Sequence, residues 1–181
     1  PADGGLADAR AELKGTGQMG AREATVELSG RAGQRGGRHW QGQVMSLTAG
    51  VRDRNIGPGV WRLVLRGPVD ASWNAGRLEV GAGDATLAPP VPQGAQPVAP
   101  VQVAWEPVLW DGGVLRTAGT LSGLTLAWVE LLGGPQLAGL ALSGDLVFDA
   151  RWEAAIGDTL RASATLVRRS GDVSVLAESA E

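Results

Sequence analysis

The chain has 181 residues, 44% of them hydrophobic and 19% charged, which suits one ordinary domain with apolar material enough for a sizeable core, so wholesale disorder is excluded. Net charge is −3 and the basic residues are scattered singly, so no concentrated basic face is offered to nucleic acid. The absence of cysteine excludes a disulfide framework, thiol catalysis and thiolate metal sites.

Twenty-eight glycines, ten prolines and seven tryptophans against one phenylalanine favour many short strands over long helices. The most apolar stretch, Leu121 to Phe148, is broken by Glu130, Gly133-Gly134-Pro135 and Asp145, so no helical membrane span is expected. The chain begins at Pro1 with neither an initiator Met nor a signal-peptide pattern. It is therefore expected to be a piece of a longer polypeptide, touching a membrane only through parts outside it.

In chain order, Gly15-Thr16-Gly17-Gln18-Met19-Gly20 matches the GxGxxG spacing of dinucleotide sites, but no buried strand precedes it and a strand follows it where a helix should. Period-two alternation then begins. Ala24-Val26-Leu28 faces one way and Thr25-Glu27-Ser29 the other. Trp61-Leu63-Leu65 likewise alternates with Arg62 and Arg66, and weaker strands fit Trp40 to Leu47, Val69 to Trp73, Arg77 to Val80 and Ala85 to Ala88, each bounded by turn-forming residues. Residues 89–100 are too proline-rich for either element and read as an extended connector. The chain thus divides into a first strand group over 1–88, the connector, and a second strand group over 101–181.

In the second group, Val101 to Trp105 and Val114 to Leu121 are strands, and Leu124 to Leu132 is apolar on too many successive positions for a half-exposed one. Leu124, Trp128, Leu131 and Leu132 fall at helical spacing before the Gly133-Gly134-Pro135 stop, which predicts one short helix over 124–132. From Asp145 to Glu153 the alternation is clearest, with Leu146, Phe148, Ala150 and Trp152 against Asp145, Asp149, Arg151 and Glu153. Gly157-Asp158 reads as a hairpin turn into Thr159 to Val167, and Ser170-Gly171-Asp172 as a turn into Val173 to Val175. The pattern predicts an all-β chain of about a dozen short antiparallel strands in a meander, about 50–60 Å wide if they lie side by side.

Candidate chemistry is sparse. His39 is the only histidine, and neither Ser29 nor Ser46 sits in a nucleophile elbow, so a solvated loop histidine is expected and a second imidazole for a metal is absent. Glu106, Asp111, Asp145, Asp149, Glu153 and Asp158 could supply paired carboxylates for glycoside hydrolysis, but Asp145, Asp149 and Glu153 fall on the polar face of an alternating strand. Trp61, Trp105 and Trp152 fall on apolar faces, while Trp40, Trp73 and Trp110 have no assigned face, and Trp73 or Trp110 could stack on a sugar. The reading is no enzyme, no cofactor and no metal.

Trp40-Gln41-Gly42-Gln43-Val44, Trp61-Arg62-Leu63, Gly123-Leu124-Thr125-Leu126-Ala127-Trp128, Leu142-Ser143-Gly144-Asp145-Leu146, Trp152 and Arg168-Arg169-Ser170-Gly171-Asp172-Val173 resemble the TamB translocation and assembly module family over roughly 24–176. Thr125 stands where that family's pattern leads one to expect proline. The resemblance implies an open β-taco or groove with an apolar inner surface, in a periplasmic body anchored in the inner membrane of a Gram-negative bacterium. It implies phospholipid acyl chains as cargo, assistance to outer-membrane protein assembly, and an outer-membrane partner of the Omp85 type, TamA, engaged through parts outside this chain. Alternation selects Val26, Leu28, Leu63, Leu65, Leu78, Val80, Val103, Trp105, Leu146, Phe148, Ala150, Trp152, Leu160 and Leu166 as the residues lining such a groove. The alternative on the same strand pattern is a closed β-sandwich that binds carbohydrate or protein.

Overall fold

The structure, a computed structural model, describes residues 9–53, 59–91, 97–133 and 141–176. Three long strands open it: β1 (Ala9–Met19), β2 (Arg22–Gln34) and β3 (His39–Asp53). Six short ones follow: β4 (Trp61–Leu65), β5 (Val69–Asn74), β6 (Arg77–Val80), β7 (Gly83–Ala88), β8 (Val101–Trp105) and β9 (Val108–Asp111). Then come β10 (Val114–Thr125), α1 (Leu126–Gly133), β11 (Ala141–Gly144), β12 (Val147–Ile156), β13 (Leu160–Ser170) and β14 (Val173–Leu176). The fold is all-β and antiparallel with one short helix, as alternation requires.

Twelve of the strands form one sheet. β3 pairs along one edge with both β4 and β5, and β10 pairs along one edge with both β8 and β9. Between them β4 pairs β7 and β7 pairs β8, while β5 pairs β6 and β6 pairs β9. The short strands therefore lie end to end in couples, each couple taking one place across the sheet. The breaks fall at Arg66-Gly67-Pro68, Gly81-Ala82 and Glu106-Pro107. Proline cannot donate to a ladder, and here two of the breaks carry one. β3 answers with a bulge, since Ser29 opposes Ser46 but Gly30 opposes Val44, leaving Met45 unpaired. Bulges bend a strand and raise its twist, so interruptions aligned across neighbouring strands crease and curl the sheet along one line. Counting each couple once gives a width of about 40 Å at roughly 4.8 Å per strand step, narrower than a simple meander would be.

The same crease corrects the reading of Ser170-Gly171-Asp172. β13 pairs β12 up to Ser170 opposite Val147, and β14 pairs β11 from Val173 opposite Gly144, so the chain bends there without reversing. Asp145 N donates to the Asp172 carbonyl (3.2 Å) and Asp172 N to Asp145 Oδ1 (2.9 Å), holding the two gaps side by side. Residues 89–100 link β7 to β8, which are neighbours in one sheet. Pro89 and Pro90 are buried, and Val98 packs on the core.

Among the described residues nothing pairs with the outer edge of β1 or of β13. Every residue of β13 is exposed, with Leu160 at 70% and Leu166 at 54%. An unprotected edge with exposed leucines invites strand addition. Leu160→Lys with Leu166→Lys is expected to leave the melting temperature nearly unchanged, as surface substitutions do within about 0.5 kcal/mol, while lowering concentration-dependent self-association in sedimentation. A lost fold would show that this edge is covered in solution.

Candidate functional site

Register partners share a face, so the ladders assign every side chain to one side of the sheet. One row runs Val26, Ala49, Leu63, Leu87 and Val101 across β2, β3, β4, β7 and β8. The next runs Leu65, Ala85, Val103, Leu121, Ala150 and Leu166 from β4 to β13. Leu28 lies opposite Leu13 and Leu47 on the same side, Phe148 opposite Leu124, and Val80 opposite Ala71 and Val108. Every residue chosen by alternation thus falls on a single face except Leu146, which sits in the gap between β11 and β12 and is buried there.

A row of alternating large and small residues lies next to the crease. Gly83, Trp105, Gly119, Trp152 and Ala164 are successive partners across β7, β8, β10, β12 and β13. A methyl on Gly83 would meet the Trp105 ring at 2.5 Å, and one on Gly119 would strike the Trp152 ring and the Ala104 carbonyl. The indoles therefore lie over the neighbouring glycines, where a Cβ would leave them no room. Trp105 Nε1 donates to the Gly81 carbonyl (3.0 Å), which satisfies the indole and fixes it at the break.

The unassigned tryptophans gather at the far end of the same face. Trp40 opposes Trp73, Trp73 opposes Leu78, and Leu78 opposes Trp110. The rings of Trp73 and Trp110 are 5.6 Å apart at 32°. Trp40 and Trp110 remain exposed.

α1 sits over the middle of the apolar face. Val101, Leu124 and Trp128 form the buried cluster beneath it, with Trp61, Leu87, Leu121, Phe148 and Ala150 packed around. Trp128 is 2% exposed; its Nε1 donates to the Ala99 carbonyl (2.8 Å) and its ring lies 5.6 Å from that of Trp61. Leu124 and Thr125 complete β10, and the helix begins at Leu126, within the expected span. Gly123, at φ 86°, marks the register shift where the strand turns inward, and Gly123 N donates to Asp149 Oδ1 (3.1 Å).

The opposite face is polar. Ion pairs step across it: Lys14 to Glu27 (3.4 Å), Glu23 to Arg52 (3.6 Å), Arg66 to Asp84 (3.1 Å), Glu106 to Arg151 (3.3 Å) and Asp149 to Arg169 (3.6 Å). Arg31, Gln43 and Asp70 form a further chain of hydrogen bonds. Such exposed pairs stabilise by about 0–1 kcal/mol each, and their evident effect is to hold a hydrated face. The acids weighed for glycoside hydrolysis are thus dispersed: Glu106 and Asp149 bind arginines, Asp145 bridges the gap at Asp172, and Asp111 and Asp158 lie at turns. His39 begins β3 opposite Asn74, half-buried, with its backbone closing the turn to Gly36. Gly15 and Gly17 belong to β1, paired with Val26 and Ala24, so the GxGxxG match is extended strand and hairpin.

The acid-to-bulge contact gives a test. Asp149→Ala is expected to lower stability by about 1 kcal/mol, the usual worth of one such bond, seen as a shifted urea midpoint with an unchanged slope. No protein-family model, curated protein or solved structure matches this chain.

Proposed function

We propose that this chain is a non-enzymatic stretch of a lipid-conducting β-groove of the TamB type. Its apolar face takes phospholipid acyl chains, conducting lipid toward the outer membrane or assisting protein assembly there. The observation that carries the reading is the continuity of the apolar rows from β1 to β13 on a curled sheet whose two outer edges are unpaired among the described residues. A hydrocarbon tail gains about 0.8 kcal/mol per buried methylene, so such a face can hold a chain with no catalytic group. On this reading the body is periplasmic and belongs to an inner-membrane-anchored protein, with the Omp85-type partner TamA reached through other parts of the polypeptide.

Leu47 and Thr48 are neighbours on β3 that point to opposite faces, both half-buried. Leu47→Glu is expected to abolish co-purifying phospholipid in native mass spectrometry, and Thr48→Glu to leave it intact. A folded Leu47→Glu protein that keeps its lipid, or a wild-type protein that never carries any, would sink the proposal. The rival reading is a carbohydrate-binding module that uses the Trp40, Trp73 and Trp110 cluster. Glycan binding lost in Trp110→Ala, from a protein free of lipid, would establish that rival.

A further inference from the structure

Between α1 and the sheet lies a cavity of about 320 Å³, walled by Trp61, Leu87, Val101, Leu121, Leu124 and Trp128. Among the described residues no buried side-chain nitrogen or oxygen lacks a partner, so nothing in this space calls for water. The space is partly open to solvent, and apart from Asp53 its walls are apolar, offering dispersion contacts to hydrocarbon. At about 30 Å³ for each water-sized group, the space accepts roughly ten chain carbons in a single file.

One wall differs. Asp53, whose side chain is 5% exposed, also lines the cavity and accepts from Arg22 Nε at 2.7 Å, while the Arg22 side chain is 61% exposed. The pair spans the boundary between cavity and water. Nε faces Asp53, so the two terminal nitrogens of the guanidinium remain to bind a second carboxylate in the forked geometry that arginine favours.

The geometry points to a subsite for one straight-chain fatty acid, with the tail under α1 along Leu87, Val101 and Leu121 and the carboxylate at Arg22. The inference rests on the acyl-chain reading of the apolar face and adds to it a defined ligand, a roof and a mouth. α1 is then the wall that turns a stretch of open trough into a single-chain pocket.

Calorimetry with dodecanoate and dodecanol tests it on the whole chain. The wild type is expected to bind one dodecanoate, and Leu121→Trp, which fills the space, to weaken it at least tenfold while staying folded. Leu87→Phe, a smaller filling, gives the same direction if Leu121→Trp fails to fold. Arg22→Gln is expected to weaken dodecanoate about tenfold, a 1.4 kcal/mol change, and to leave dodecanol unaffected. Undiminished binding by a folded filled variant overturns the cavity as the site, and equal effects of Arg22→Gln on acid and alcohol overturn the placement of the head. If phospholipid accompanies the purified protein while the filled variant still binds dodecanoate, only this inference falls. If neither lipid is ever bound, the acyl-chain reading falls with it.

Discussion

Trp128→Ala is expected to destabilise the protein by about 3–5 kcal/mol, the range for deleting a buried aromatic side chain. The indole is 2% exposed, lies against Trp61 and carries the hydrogen bond to the Ala99 carbonyl, so its loss removes packing and one polar tie together. Out of a total stability of about 5–15 kcal/mol such a change is large, and urea titration should show a midpoint lowered by about a fifth or more. Trp110→Ala is the contrasting case: Trp110 is exposed at the sheet end, and its loss should shift the midpoint far less. Equal shifts for the two variants would mean that α1 is not the lid of the core.

Gly119→Val is expected to cost about 3 kcal/mol or more, at the upper end of overpacking effects. Its new atoms meet the Trp152 ring on one side and the Ala104 carbonyl on the other, and the second is backbone that cannot rotate away. The row from Gly83 to Ala164 alternates small and large, so displacing Trp152 pushes it toward Ala164 on the edge strand. Gly15→Val supplies the control, since nothing lies within 4 Å of a methyl there. It should be neutral or mildly stabilising, because valine suits a strand better than glycine. The measurement is the melting temperature of both variants. A tolerated Gly119→Val would mean that the Trp152 indole does not lie across β10.

Alternation is a local property of the chain; it places most strands, and the residues it selects share one face of the ladders except Leu146. It was least legible where the apolar members are small. β1 alternates Ala9, Ala11, Leu13, Gly15 and Gly17 against Arg10, Glu12, Lys14, Thr16 and Gln18 without a break. Glycine carries little hydropathy signal, so the apolar side of this strand is faint in the sequence. β9 carries no alternation signal, because Val108-Leu109-Trp110 has no polar member to alternate with.

Tertiary structure alone decided the crease, the cover and the pocket. Whether Ser170-Gly171-Asp172 reverses the chain or merely bends it depends on where β11 lies, and no local pattern contains that. Pro89, Pro90 and Ala99 look like linker by composition, yet packing buries the prolines and the Ala99 carbonyl anchors Trp128. Trp105 and Trp152 were legible as inward-facing, but their placement over the neighbouring strands required glycines there. The alternating sequence determines which side chains share a face, because a strand's geometry repeats every second residue. How that face curls, and where α1 roofs it, follows from contacts between residues far apart in the chain, and these set the shape of the candidate site.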